Sequence, residues 1–221
     1  MKAPDWLARR MSARRQRSWL LLVMLATGGA VAEDQAPTAS EPPQAVVHAI
    51  AEGYGPVAAR GDTSMPLTLR LRGDAARIEF SDPKGRDAYL LVSGPAREGW
   101  LVSVPGNVAM PLPRAGTAFW FDPEAPCDTL HATCSPAPGE VIAGRAARGW
   151  RYRNAAGRGP DGTDSGTLWI DAATGLLLGY RGKLAGRDEA RSLRVVSVTY
   201  APVPADIFER PQNLQELQTD R

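Results

Sequence analysis

The two cysteines are the side chains best placed to do chemistry. Cys127 and Cys134 lie in PCDTLHATCSPAPG with His131 between them, and the 221-residue chain has no other cysteine. Three chemistries fit this spacing. A disulfide would close an eight-residue ring, worth about 2–3 kcal/mol on a loop-entropy argument. A metal could take Cys127, His131 and Cys134, but a structural zinc site wants four ligands, and His48 is the only other histidine. A redox pair is more usually Cys-x-x-Cys at the start of a helix. The disulfide is the simplest reading for an oxidising compartment, with the metal and redox readings left open. Pro126, Pro136 and Pro138 around the cysteines predict loop rather than strand.

Other chemistry-bearing residues do not assemble into a site. Ser81-Asp82-Pro83-Lys84 has the S-x-x-K spacing, but that motif needs one helical turn, and Pro83 predicts a chain reversal instead. Asp164-Ser165-Gly166 carries half of a serine-protease nucleophile loop without its second half. With two histidines in no recognisable setting, no catalytic triad can be built. Gly157–Gly166 (GRGPDGTDSG) offers Asp161 and Asp164 to calcium but lacks the ligand count and closing Glu of a calcium loop, so a long mobile hairpin loop is the plainer reading. There is no phosphate-binding loop, dinucleotide fingerprint or H-E-x-x-H. The reading is therefore non-enzymatic, with no cofactor and no metal.

The elements that would carry any site are predominantly strands. From residue 65 onward apolar residues recur at every second position. Leu67, Leu69 and Leu71 alternate with Thr68, Arg70 and Arg72. Ile78 and Phe80 alternate with Arg77 and Glu79. Trp100, Val102 and Val104 form another such row, and Val196, Val198 and Tyr200 another. This period marks half-buried antiparallel strands. Between them stand turn signals such as Gly73-Asp74, Asp82-Pro83-Lys84-Gly85 and Asp171-Ala172-Ala173-Thr174-Gly175, the last predicting a hairpin. Ala45–Glu52 (AVVHAIAE) predicts a short amphipathic helix ended by Gly53, and Pro204–Glu209 a turn with Phe208 tucked in. The fold class expected is mainly β: a single highly curved antiparallel sheet or incomplete β-barrel of about nine or ten strands, with one or two short helices.

The N-terminal 32 residues stand outside that pattern. Five arginines between Arg9 and Arg17 precede the apolar run Trp19–Leu25, and Ala30-Val31-Ala32 closes with the small-x-small pattern of a cleavage site. This order is that of a secretory signal peptide, and the run is shorter than the about 20 apolar residues of a bilayer span. The expected location is the periplasm, as an exported, soluble protein with no transmembrane anchor after cleavage. Residues 1–32 hold six positive side chains and one negative, so their removal takes a chain of net +2 to net −3. The basic isoelectric point thus belongs to the signal and gives no support to nucleic-acid binding. The expected organisation is signal peptide 1–32, disordered leader 33–44, β domain 45–211 and C-terminal tail 212–221.

Several segments are apolar at consecutive positions: Phe119-Trp120-Phe121, Leu168-Trp169-Ile170 and Leu176-Leu177-Leu178. A strand apolar on both faces needs a cover on both. A helix, the sheet's own curvature or a bound ligand can supply the second one. If the concave face holds a ligand, its wall is expected to include Leu69, Leu71, Ile78, Phe80, Trp100 and Trp169, with Arg70, Arg72, Arg77 and Glu79 facing outward, because burying them unpaired is costly.

Three stretches carry a resemblance. GEVIAGRAARGWRY (139–152), GTLWIDAATGLLLGYRGK (166–183) and VVSVTYAPVPADIFERP (195–211) occur in this order. Together with LRGDAARIEF and YLLVSGPAREGWLV they resemble LolA-like periplasmic proteins, relatives of the outer-membrane lipoprotein-sorting carrier, over about residues 60–211. The resemblance implies an incomplete antiparallel barrel whose apolar concave face receives lipid chains beneath a helical lid. Here little helix is available for a lid, and the cysteine loop is an addition. None of the carrier's functional residues maps onto this chain. The resemblance implies a carrier of an acyl-chain or lipoprotein ligand. The alternative is an envelope protein-interaction or sensing module with a filled core and no ligand.

Overall fold

A computed structural model describes residues 41–54, 64–81, 85–94, 98–112, 118–187, 190–210 and 212–217. The expected signal peptide, the expected leader up to residue 40, Asp82-Pro83-Lys84 of the S-x-x-K spacing, and the last four residues lie outside the described residues. Glu41–Arg221 forms one compact unit.

Twelve strands make one open sheet. They are β1 (Gln44–Glu52), β2 (Ser64–Arg72), β3 (Ala75–Ser81), β4 (Asp87–Ser93), β5 (Glu98–Ser103), β6 (Val108–Leu112), β7 (Thr133–Ile142), β8 (Arg145–Arg153), β9 (Ser165–Asp171), β10 (Leu177–Lys183), β11 (Ala190–Thr199) and β12 (Gln215–Glu216). Their spatial order is β12-β6-β5-β4-β3-β2-β1-β11-β10-β9-β8-β7. Every pairing is antiparallel except the short parallel contact of β12 with β6. One helix, α1 (Pro126–Leu130), and two 3-10 turns complete the described elements. None of these helices is long and apolar enough to cross a membrane.

The sheet is curled. One continuous core gathers Val47, Leu69, Leu71, Val92, Tyr152, Leu168, Leu178 and Val195 from strands across its width. The sheet therefore covers its own second face, as consecutive apolar positions require. Phe119 and Phe121 are buried on this inner side, although the segment holding them is not a strand: only Trp120 makes a bridge, to Leu176.

Three local expectations need correction. Residues 44–52 form β1, not a helix, and lie between β2 and β11. Ala45, Val47, Ala49 and Ala51 are all buried on one face, so the true period is two. The helix reading followed alanine's propensity, which a central sheet position overrides. The prolines after Cys134 do not prevent a strand: Pro136 and Pro138 belong to β7, an edge strand whose outer side needs no N–H donor. Gly157–Gly166 lies in the hairpin connection from β8 to β9, as expected, but it does not stand out into solvent. It folds inward around the turn Pro160–Gly162, burying Pro160 and Thr163.

A smaller apolar cluster lies on the outer face. Tyr89, Leu91, Val102 and Ala109 pack there with Trp100, covered by Leu214. The chain after β11 crosses this face through the turn Asp206–Phe208, which contacts β3 and β4, and ends beside β6. Ile207 accepts a hydrogen bond from Arg77, and Arg210 stacks 3.9 Å over the Trp100 ring.

Candidate ligand site inside the curved sheet

An apolar cavity of about 210 Å³ opens within the concave face. Its wall takes Leu67 and Leu69 from β2, Ile78 and Phe80 from β3, Leu90 from β4 and Leu177 from β10. Alternation puts these side chains inside: Leu69 pairs across the strands with Ile78, and Ile78 with Leu90. Arg70, Arg77 and Glu79 consequently point outward, where Glu79 binds Arg77 at 2.9 Å and Arg70 at 3.5 Å.

The cavity has one polar wall, made by Tyr54, Asp161 and Tyr180. Both phenol hydroxyls donate to Asp161 Oδ2 and also contact each other. Burial first, then the charge of Asp161, pushes the Tyr54 and Tyr180 hydroxyls well above the ordinary tyrosine range, so both remain protonated donors. The turn that delivers Asp161 is held by Arg191, whose guanidinium donates to the Asp161 carbonyl at 2.9 Å. It is also held by Tyr152, whose hydroxyl meets Thr163 Oγ1 at 2.5 Å and is pushed up to about 12 by burial. Asp161 adopts a left-handed backbone (φ 51°) and Gly162 follows at φ 78°.

Of the residues expected to line a site, Leu69, Ile78 and Phe80 meet at this cavity. Leu71 is buried in the core beside it, away from the cavity wall. Trp100 lies on the opposite, outer face, because its neighbour Leu101 is the β5 residue that reaches the cavity. Trp169 also faces outward. It lies between Gly149 and Gly179 on the flanking strands, with Nε1 donating to the Pro138 carbonyl at 3.3 Å. Apolar rows on both faces of β5 and β9 made the two faces indistinguishable in sequence. The convergence of Tyr54, Asp161, Tyr180 and Arg191 is not legible in sequence, since they come from four separate elements; Asp161 alone stands out there, and as a possible calcium ligand rather than as the partner of two tyrosines.

Cys127 and Cys134 are disulfide-bonded, with Cα atoms 5.7 Å apart, tying α1 to β7. His131 is exposed at the left-handed end of α1. His48 is on the outer face, hydrogen-bonded to Thr68 at 3.1 Å. Among the described residues no three metal-ligating side chains cluster. The W-I-D-x-x-T-G-L stretch has a scaffolding role. Buried Asp171 accepts hydrogen bonds from the N–H groups of Ala173 and Thr174, from Arg145 and from Tyr200, closing the turn into β10.

No family model and no curated protein matches this sequence. Solved structures alike in fold include an uncharacterized conserved protein from Thermus thermophilus, 12% identical, covering 80% of this chain and 90% of that one with a TM-score of 0.52. A LolA superfamily protein from Nitrosomonas europaea, 12% identical, covers 77% of this chain and 91% of that one with a TM-score of 0.38. The MucA/MucB complex of Pseudomonas aeruginosa matches at 11% identity, over 80% of this chain and 58% of that one, with a TM-score of 0.38. At these identities the likeness is one of fold.

Proposed function

We propose that this protein is a non-enzymatic binding protein of the bacterial envelope that takes one apolar chain into its curved sheet. The observation that carries this reading is the cavity: an apolar space inside the concave face, walled by Leu67, Leu69, Ile78 and Phe80. A dry apolar cavity of about 150 Å³ suffices to take up benzene. At about 210 Å³ this one has room for a ring or a short alkyl segment. It is smaller than the about 300 Å³ at which drug-sized sites begin, so it would take one chain end rather than a whole lipid. Hydrophobic burial supplies affinity, at roughly 25 cal/mol per Å² of apolar surface removed from water.

The modest volume favours a second reading, an envelope protein-interaction module whose core is nearly filled. One variant separates the two. The small apolar dye 1-naphthylamine, one fused ring pair, should bind the delipidated wild type with a rise in fluorescence. Phe80→Trp, which narrows the cavity with a bulkier indole, should weaken that binding at least tenfold and leave thermal unfolding unchanged or raised. No dye binding by the wild type, or equal binding by Phe80→Trp, would reject the ligand site and leave the filled-core module.

A further inference from the structure

The outer face of β8, β9 and β10 carries a patch of cations. Arg151 and Arg181 both pair across β9 with Thr167. One step along, Arg153 and Lys183 flank Ser165 by the same alternation. All four cations are exposed. Each row therefore places two cations about 10 Å apart, two strand spacings, with a hydroxyl between them, and the rows lie about 7 Å from each other. None of the four makes an ion pair among the described residues. On the other half of the sheet the outward arginines Arg70 and Arg77 share the carboxylate of Glu79. Of the acids on this face, Glu140 is ion-paired with Arg194 at 3.0 Å, and Glu52, at the far side of the groove described next, accepts from the Ser192 hydroxyl.

Beside these cations runs an open groove of about 520 Å³, lined by Trp169, Arg181, Arg194, Ile50 and Val196 among others. Ile50 is 42% exposed and Val196 57%, and both line this groove. Trp169 forms one wall, held by its hydrogen bond to Pro138. Cations, an indole with a polar tip and exposed aliphatics on one surface are the composition of a protein face that lies in a lipid–water interface. An acidic peptide would need the cations but not the aliphatics.

We infer that this outer face docks onto an anionic membrane surface. Arg151, Arg153, Arg181 and Lys183 would engage lipid phosphates, while Trp169, Ile50 and Val196 enter the headgroup layer. Charge complementarity favours this patch, because the processed chain is net negative while four exposed cations stand together here with no ion pair among the described residues. The inference is independent of the concave cavity, which opens on the other side of the sheet.

The test is sedimentation of the exported, processed protein with phosphatidylglycerol vesicles and, separately, with phosphatidylcholine vesicles. Binding should be confined to phosphatidylglycerol at low salt and fall steeply in high salt. Juxtamembrane cations contribute about fivefold in affinity each. The variant R151Q/R153Q/R181Q/K183Q should therefore lose at least a hundredfold, with its circular dichroism unchanged. Should that variant fail to fold, R151Q/R181Q alone should lose about 25-fold. The cavity variant Phe80→Trp should still sediment, and R151Q/R181Q should still bind 1-naphthylamine, so failure of either reading is visible separately. Absence of binding to phosphatidylglycerol, equal binding to both vesicles, or undiminished binding by the folded variants would overturn the inference. So would binding to soluble polyglutamate without binding to vesicles, which would point to an acidic protein partner.

Discussion

At the residue scale, Asp171 shows how a motif that looks chemical can be structural. Its carboxylate is 1% exposed, yet it is fully partnered by Arg145, Tyr200 and two backbone N–H groups. Burial alone would raise its pKa, but the hydrogen bond from Arg145, then those from Ala173 and Tyr200, outweigh it and hold the carboxyl below its usual 3.8. A carboxyl lowered by folding stabilises the protein above its unfolded pKa. That stabilisation is lost as pH falls through the folded value. Asp171→Ala should therefore cost about 3 kcal/mol at neutral pH, the scale of a broken charge-assisted network that leaves a partner unpaired. The penalty should shrink as pH drops below about 4. Chemical denaturation of both proteins across pH 2–7 checks this; a penalty independent of pH would mean that the turn, not the charge, is what Asp171 supplies. Gly175 in the same motif has a plainer reason. Its φ is +77°, and a Cβ there would stand 2.1 Å from the Phe121 carbonyl oxygen.

At the element scale, period-two alternation made most strands legible, because a half-buried strand must segregate its faces. Leu67, Leu69 and Leu71 read inward and Arg70 outward with no help from tertiary structure. Three elements were opaque for physical reasons. The small alanines of β1 are buried on one face of a strand between β2 and β11 but read locally as helix formers. The prolines of β7 are tolerated because nothing pairs beyond that edge. The third is β12, two residues long, which exists only because the chain after β11 crosses the outer face and reaches β6. This crossing arm closes what would otherwise be an open edge, while Pro136 and Pro138 blunt the opposite one. Truncation after Arg210 removes Leu214 from the Tyr89–Leu91–Val102–Ala109 cluster and the hydrogen bonds from Gln215 and Leu217 to Asn107 and Ala109. The truncated protein should remain folded but lose about 2–4 kcal/mol, from one partly buried leucine and two exposed ladder bonds. With the β6 edge uncovered it should also self-associate in a concentration-dependent way. Analytical ultracentrifugation and urea unfolding decide this, and a monomeric truncation of unchanged stability would show that the arm is ornament on the fold.

At the scale of the whole molecule, the candidate site was only half legible. The inward apolar wall followed from alternation. Its polar end did not, since Tyr54, Asp161, Tyr180 and Arg191 are separated by up to 137 residues and converge only when the sheet curls. The same curl leaves an outer face free to carry charge, so one sheet can present an apolar interior and a basic exterior. This arrangement makes sense in one compartment, and the disulfide tests which. A bond between Cys127 and Cys134 persists in an oxidising environment and not in a reducing cytosol. The N-terminal arginines, apolar run and Ala30-Val31-Ala32 predict delivery to such an environment with cleavage before Glu33. Produced from the full sequence in a Gram-negative host, the protein should be recovered from the periplasm starting at Glu33, with no thiol reactive after unfolding. Produced from Glu33 onward in the cytosol, it should carry two reactive thiols. Its stability should be lower by about 2–3 kcal/mol, the loop-entropy value of the eight-residue ring, and oxidation should restore it. Intact mass gives the start site, alkylation counts the thiols and urea unfolding measures the difference. A retained Met1 with free thiols in the exported preparation would place the protein elsewhere. An oxidised periplasmic form no more stable than the reduced one would leave the export reading intact and reassign the cysteine pair from fold stability to another task.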